Sequence, residues 1–489
     1  MSSVNVTDPP VNGTRTGPVD STSHRDNFQV KALPADFYVP FLSLAAKNRN
    51  PSPIRSLLPL EATPGIISLL AGKPNAATFP FTSLSFTARS PIDPSRDVPV
   101  NLSQAELAKG LQYGETAGIP QLRDWLIGLQ EHNHGRRQGE GWRLSVGSGS
   151  QDLIYKAVTA MINPGDPILV ESPVYAGVIP MFQSLHCDQI EVETDSHGIL
   201  ASSLRSILDG WPANKPKPRV LYTVPYGCNP TGMTATLERR KEVLQLAREH
   251  NFIILEGKYC YAWCTTYAYP PAYTCADDPY YYLYFGEAPR YPSYFSLELE
   301  EPEVGRVLRF DSLSKILSAG IRIGFASGPE PLLDAMDRHT STSNLQPSSL
   351  TQVITFALLD SWGYDGFKAH TDLVSSFYRE KRDIFERALK THLSDLVEWD
   401  SPEAGLFFWF KLRLGVSEHE EGDSESVIRT NAFERGVIAL PGTVFLPNGR
   451  KTAYVRASFS AVGEEDAEEG IKRLRDAILD ARAKSVKTE

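Results

Sequence analysis

No stretch of this 489-residue sequence is apolar for the roughly 18 residues that a membrane-spanning helix needs. No membrane partner is therefore expected. An excess of basic residues is also missing: 49 Lys and Arg stand against 59 Asp and Glu, a formal net charge of −10. A nucleic-acid surface needs the opposite sign, because phosphates are held by Lys and Arg. Cysteine is scarce and odd in number, at Cys187, Cys228, Cys260, Cys264 and Cys275. Such a set predicts reduced thiols inside a cell rather than a disulfide scaffold. The N-terminus lacks the apolar core of a secretory signal. Asp8, Asp20 and Asp26 argue against a mitochondrial presequence, so the expected compartment is the cytoplasm.

What is present is an ordinary globular balance, 41% hydrophobic and 22% charged. The length predicts two or three domains. Residues 1–30 are rich in Ser, Thr, Pro, Asp and Asn and are expected to form a disordered tail. Between about 96 and 365, short apolar runs alternate with helical patterns. PILVE (167–171), RVLYT (219–223), FIILE (252–256), VLRF (307–310) and IGFAS (323–327) read as buried strands. Residues 151–162 and 237–250 read as helices. The expected fold class is α/β, a mostly parallel sheet covered on both faces, with ligands at the carboxyl ends of its strands. After about 365 the pattern changes. A helix over 370–392, strand-like runs at 406–412 and 453–459 and a terminal helix from Glu464 predict a smaller α+β domain over 366–489. Residues 31–95 are expected to form an N-terminal arm and part of that smaller domain.

The chemistry concentrates at the predicted strand ends. After VLRF comes Asp311-Ser-Leu-Ser-Lys315, then Gly320-Ile-Arg322-Ile-Gly324. A lysine at a strand's carboxyl end can condense with an aldehyde cofactor. Ser312, Ser314 and Arg322 supply hydroxyls and a guanidinium suited to a phosphate. Val146-Gly-Ser-Gly-Ser150-Gln151 opens a helix, whose free N–H groups favour an anion. Asn229, in Asn229-Pro-Thr-Gly232, offers an amide donor after RVLYT. Tyr175, in Glu171-Ser-Pro-Val-Tyr175, offers a flat ring after PILVE. Singly, each is compatible with an ordinary turn. Four strand ends each carrying a group suited to one cofactor are not explained that way.

With these motifs the chain resembles the fold type I pyridoxal 5′-phosphate aminotransferases of class I/II, and most of all the aromatic amino acid and 2-aminoadipate (kynurenine) aminotransferases. The resemblance runs from about Pro51 to the C-terminus. It implies a large domain and a smaller one, and it implies transamination with 2-oxoglutarate as amino acceptor. It implies that Lys315 holds the cofactor and shuttles the proton, that Tyr175 stacks on the ring and that Asn229 donates to the phenolic oxygen. Ser150, Gln151, Ser312, Ser314 and Arg322 match the phosphate cup. Tyr113 resembles the tyrosine that reaches a partner subunit's cofactor, which implies a homodimer with shared sites. Arg456, in Tyr454-Val-Arg-Ala-Ser458, resembles the arginine that grips the substrate α-carboxylate. Gly72 matches a glycine of the substrate pocket, and Arg55 a mobile arginine tied to side-chain acids. The family also implies an aspartate at the pyridine nitrogen and, three residues on, a tyrosine at the phenolic oxygen, here Asp277 and Tyr280. No metal is implied.

One stretch departs from the family. Its Asp-Asp-Pro-Tyr-Tyr string should follow FIILE directly, but stands at 277–281. Residues 257–276, GKYCYAWCTTYAYPPAYTCA, lie between. They hold five tyrosines, three cysteines and no acid, and show neither helical nor strand period. A Cys-rich metal loop lacks a fourth ligand of known spacing. An aromatic lid over the substrate is a second reading. An unspliced intron is the third and preferred one, since removing the 20 residues restores the family string. Other readings of the whole chain are a lyase on the same scaffold, a cofactor-binding regulator, or a protein inactivated by this segment. The regulator reading lacks the basic helix-turn-helix that would carry it.

Overall fold

β-branched and aliphatic runs bounded by Gly, Pro and Asn form the framework, described here from a computed structural model covering residues 30–257, 280–415 and 422–485. In chain order the strands are β1 (Ser85–Arg89), β2 (Asp97–Asn101), β3 (Arg143–Gly147), β4 (Pro167–Ser172), β5 (Asp188–Asp195), β6 (Gly198–Ile199), β7 (Val220–Thr223), β8 (Ile253–Glu256), β9 (Val307–Ser312), β10 (Gly324–Gly328), β11 (Val397–Trp399), β12 (Phe407–Leu412), β13 (Leu440–Pro441) and β14 (Tyr454–Ser458). β1 and β2 form a hairpin of their own. The large sheet has eight strands in the order β3-β10-β9-β8-β7-β4-β5-β6.

β9, β8, β7, β4 and β5 are mutually parallel. Consecutive residues of β4, β7, β8, β9 and β10 are buried, so both faces of the sheet are covered. β10 runs against both of its neighbours, with Gly324 opposite Ser312 of β9 and opposite Gly147 of β3. Its starting residue therefore meets the carboxyl ends of the strands beside it.

Helix Ser150–Met161 follows β3, and helix Leu237–His250 follows the loop after β7. The second is bounded by good local chemistry. The Thr236 side chain accepts from the Arg239 N–H at one end, and Asn251 takes a left-handed φ of 57° at the other. A long helical stretch, Ser349–His392, breaks at Gly363, whose φ is 61°. Sequence periodicity alone predicted only its last part.

The second sheet, β11-β12-β14-β13, is wholly antiparallel. Strand alternation divides β12 between two cores. Phe407 joins the apolar core of the large sheet. Phe408, Phe410 and Leu412 face the other way, against Phe385, Leu389, Ile471 and Ile478. No helix among the described residues is long and apolar enough to cross a membrane.

A buried ion network joins β8 to β9. Arg309 Nη1 lies 3.2 Å from Glu256 Oε1, and Arg309 Nη2 lies 2.6 Å from Asp311 Oδ1, with all three residues inaccessible to solvent. Gln130 adds an amide donor to Asp311, and the Tyr294 and Phe295 N–H groups donate to Glu256. Removing the guanidinium would leave two buried carboxylates without their cation. Arg309→Leu is accordingly expected to lower folding stability by about 3–5 kcal/mol. Urea unfolding of the variant beside wild type checks this, and equal midpoints would contradict it.

Candidate active site at the carboxyl edge of the large sheet

Lys315 lies in the turn after β9, within the stretch Leu313–Leu317. That turn is pinned from several sides. The Leu317 N–H donates to the Leu313 carbonyl at 2.8 Å, the Leu313 N–H donates to the Ile323 carbonyl at 3.1 Å, and His370 Nε2 lies 2.5 Å from the Ile316 carbonyl. The Ser314 N–H donates to the Ser312 hydroxyl at 3.1 Å. Ser312 and Ser314 are both buried.

Arg322 stands just before β10 with a left-handed φ of 52°. It reaches two loops at once. Nη1 donates to the Ser314 hydroxyl at 3.3 Å and Nη2 donates to the Ser148 carbonyl at 3.2 Å. The lysine turn and the glycine-rich loop after β3 are therefore bridged by one guanidinium. Their closeness rests on Gly324. A Cβ there would stand 2.7 Å from both Gly149 C and Ser150 N, and 3.0 Å from the Asp311 carbonyl. Gly149 itself has φ 94°, which suits glycine, and it precedes the first turn of helix Ser150–Met161.

From that helix start the contacts continue round the sheet edge. Gln151 Nε2 donates to the Gly177 carbonyl at 3.2 Å. Gly177 lies under the buried Tyr175 side chain, where a Cβ would come within 2.3 Å of two ring carbons and the phenolic oxygen. Tyr175 follows β4, whose penultimate residue, Glu171, is buried. Glu171 accepts from the Thr223 hydroxyl at 2.6 Å, from the Val224 N–H at 3.1 and 3.2 Å, and from the Cys228 thiol at 3.4 Å. The next residue after Cys228 is Asn229, wholly buried. Its Oδ1 accepts from Arg456 Nη1 at 3.0 Å. Arg456 projects from β14 and is sandwiched by rings, its guanidinium carbon 4.1 Å from the Phe407 centroid and 5.2 Å from that of Phe445. Tyr280 re-enters this region as a buried ring edge-on to Phe407.

The structure thus links Ser312, Ser314, Arg322, Gln151, Tyr175, Asn229 and Arg456 through one series of contacts, with Lys315 in the turn beside Ser314. Ser150 is buried at the helix start. Other expected residues stand apart from this series. Gly72 is exposed, with no atom within 4 Å of an added Cβ. Tyr113 is 57% exposed. Arg55 donates to the Gly114 carbonyl, the Thr116 hydroxyl and Gln346 Oε1, so it anchors the loop beside Tyr113. Asp277 lies outside the described residues, as does 258–276 of the anomalous segment.

Two residues escaped the sequence reading. In the sequence Glu171 reads only as the end of a strand. Its enrichment in hydrogen-bond donors could not be seen, because Thr223, Val224 and Cys228 come to it from another strand. The Arg309 network was hidden for the same reason.

The comparisons decide the family. Residues 93–256 and 265–474 match the model of aminotransferase class I and II. The chain belongs to that family. The match breaks directly after Glu256, where the anomalous segment begins, and resumes at residue 265, within that segment. The aminotransferase tdiD of Emericella nidulans is 40% identical over 437 residues, 89% of this chain and 94% of that protein. The mitochondrial kynurenine/alpha-aminoadipate aminotransferase of Bos taurus is 37% identical over 460 residues, 91% of this chain and 99% of that one. Among solved structures, a kynurenine aminotransferase of Pyrococcus horikoshii, in complex with PMP, is 29% identical with a TM-score of 0.67. That likeness covers 90% of this chain and 97% of the other. This aminotransferase has the fold of its relatives, a large mixed α/β sheet with an antiparallel sheet beside it.

The crowding at Gly324 yields a direct expectation. Gly324→Ala must push the β10 backbone away from Gly149 and Ser150, and so open the bridge that Arg322 makes. Pyridoxal 5′-phosphate affinity should fall by about tenfold or more. Absorbance titration with the cofactor measures it, and unchanged affinity would show that the close approach does not shape the site.

Proposed function

We propose that this aminotransferase transfers the amino group of an aromatic amino acid or 2-aminoadipate to 2-oxoglutarate, with pyridoxal 5′-phosphate held on Lys315. The contact between Arg456 and Asn229, 3.0 Å long and buried, carries the reading. It couples a cation suited to a substrate carboxylate with an amide suited to the cofactor ring. The residues fit the cofactor on independent grounds. Asn229 Nδ2 is buried and has no hydrogen-bond partner among the described residues, which suits a donor to a phenolic oxygen. The glycines at 149 and 324 leave the helix start clear of side chains, which suits a phosphate beside Arg322.

In this reading each residue has a distinct task. Arg456 holds the donor α-carboxylate with two parallel N–H groups. The cation is fixed between Phe407 and Phe445, so little side-chain freedom is lost on binding. The Lys315 amine carries the cofactor and moves the proton at the substrate α-carbon. Tyr175 covers a ring face, and Asn229 with Tyr280 donates to the phenolic oxygen. Ser150, Gln151, Ser312, Ser314 and Arg322 hold the phosphate. Asp277 keeps the pyridine nitrogen protonated, because a nearby carboxylate favours the charged form. When bound, the cofactor draws electrons from the α-carbon and takes up the amino group.

A homodimer belongs to the same proposal. Ile54, Leu57, Leu60, Ile67 and Leu69 are exposed along the arm that carries Arg55 and Gly72. An apolar surface of that kind suits a second copy, and exposed Tyr113 is placed to reach across to it. The division into a large domain over 96–365 and a smaller one over 366–489 is supported by the two apolar cores; the buried arm residues Tyr38, Phe41 and Ala46 belong to the larger core. Residues 257–276 are read as an unspliced intron; the break in the family match supports this over 257–264, where the match stops. Asp8, Asp20 and Asp26 support a cytoplasmic compartment.

A panel of amino donors with 2-oxoglutarate tests the function. Turnover of phenylalanine, tyrosine, kynurenine or 2-aminoadipate is expected, and exchange of none of them would refute it. The split between the two arginines gives a sharper expectation. Arg456→Ala should cost every donor alike, about 3–5 kcal/mol in kcat/KM. Arg55→Ala should hurt 2-aminoadipate more than phenylalanine. Equal losses for both donors in the second variant would remove Arg55 from the substrate site.

A further inference from the structure

Glu171, like Glu256 and Asp311, is a buried carboxylate near the carboxyl edge of the sheet that the proposed chemistry leaves unused; the other two are paired with Arg309. Among the described residues no cation stands against Glu171. Its partners are the Thr223 hydroxyl, the Val224 N–H and the Cys228 thiol, at 2.6 to 3.4 Å. All three belong to the segment that leaves β7 and ends at Asn229. Glu171 itself sits four residues before Tyr175. A single carboxylate therefore ties the segment presenting Asn229 to the strand presenting Tyr175.

We propose that Glu171 is a positioning residue, whose carboxylate fixes the amide of Asn229 relative to the ring of Tyr175 and so sets how the cofactor ring is held. The inference rests on the cofactor reading above. The geometry gives it a direction. Two oxygens accept four contacts, so the ionised form satisfies every donor. An amide in the same place would turn an N–H toward the Val224 N–H or the Cys228 thiol, and the tie would open.

The groups that face Glu171 are few. Its neighbour on β5 is Val192, and on β7 it meets Thr223, next to Tyr222, which pairs with Val170. Cys228 faces it from the loop and Tyr294 from the helix Tyr294–Leu297. Burial pushes the Cys228 thiol and the Tyr294 phenol well up, so both stay neutral. Burial also pushes Glu171 up, to about 7, against the hydrogen bonds from Thr223, Val224 and Cys228. Of these groups, only Glu171 changes charge near neutrality. As pH rises through about 7, its proton leaves and the full set of donors is satisfied.

The test uses the full-length chain loaded with pyridoxal 5′-phosphate, comparing wild type with Glu171→Gln. In the variant, the pH midpoint of the bound cofactor's visible absorbance should shift, and kcat should fall about tenfold with KM for the donor little changed. The wild-type kcat should show a rise through about pH 7 that the variant lacks. A merely structural role would lower the melting temperature and leave spectrum and profile alone, and that result overturns the proposal. If Glu171→Gln does not fold, Thr223→Val removes the shortest of the contacts and should shift the same midpoint in the same direction by less. Superimposable titrations for Thr223→Val and wild type then overturn it. A wild-type chain that takes up no cofactor overturns the cofactor reading first, and this inference with it.

Discussion

The β10 backbone at Gly324 lies so near Gly149 and Ser150 that only a hydrogen fits where other residues carry Cβ. This approach exists because β10 is antiparallel to both neighbours, so that its first residue, rather than its last, meets their carboxyl ends. Arg322, two residues earlier, is thereby delivered to the edge where Ser148 and Ser314 wait for it. A parallel β10 would have carried the arginine to the opposite edge. The reversal of one strand is what converts a set of separate loops into a site.

Burial is handled in two ways around this edge. Arg309 lies between Glu256 and Asp311, and the three charges satisfy one another together with amide donors. Glu171 has hydrogen-bond donors but no cation among the described residues, and its burial pushes its pKa up to about 7. The first arrangement holds β8 to β9. The second is responsive to pH near neutrality and holds β4 to the loop after β7. Both sit within a few residues of groups proposed to hold the cofactor, Lys315 in one case and Tyr175 in the other.

Much of this could be read from residues in order. The apolar runs of β4, β7, β8, β9 and β10 have the length and β-branched content of buried strands, and the structure bounds each within about two residues of the expected place. The site motifs follow those strands directly, so Lys315, Asn229 and Tyr175 could be placed at strand ends without coordinates. What could not be read is what depends on neighbours across the sheet. β3 and β5 lack a continuous apolar run, and the hairpin of β1 and β2 is largely exposed. The helix over Ser349–His392 was recognised only beyond its break, because Gly363 interrupts the period. Arg55 could be matched by position but not by contact, since its partners Gly114, Thr116 and Gln346 are remote in sequence. Glu171 escaped because its partners arrive from β7.

The central claim is that Lys315 is the amine that carries the cofactor at this edge. Treating the pyridoxal 5′-phosphate-loaded protein with borohydride would reduce the lysine–cofactor linkage and make it permanent. Mass spectrometry of the proteolytic digest would then locate it. The account predicts a phosphopyridoxyl mass on the peptide containing Lys315 and on no other. A label on a different lysine, or none on a chain that has taken up the cofactor, would contradict it.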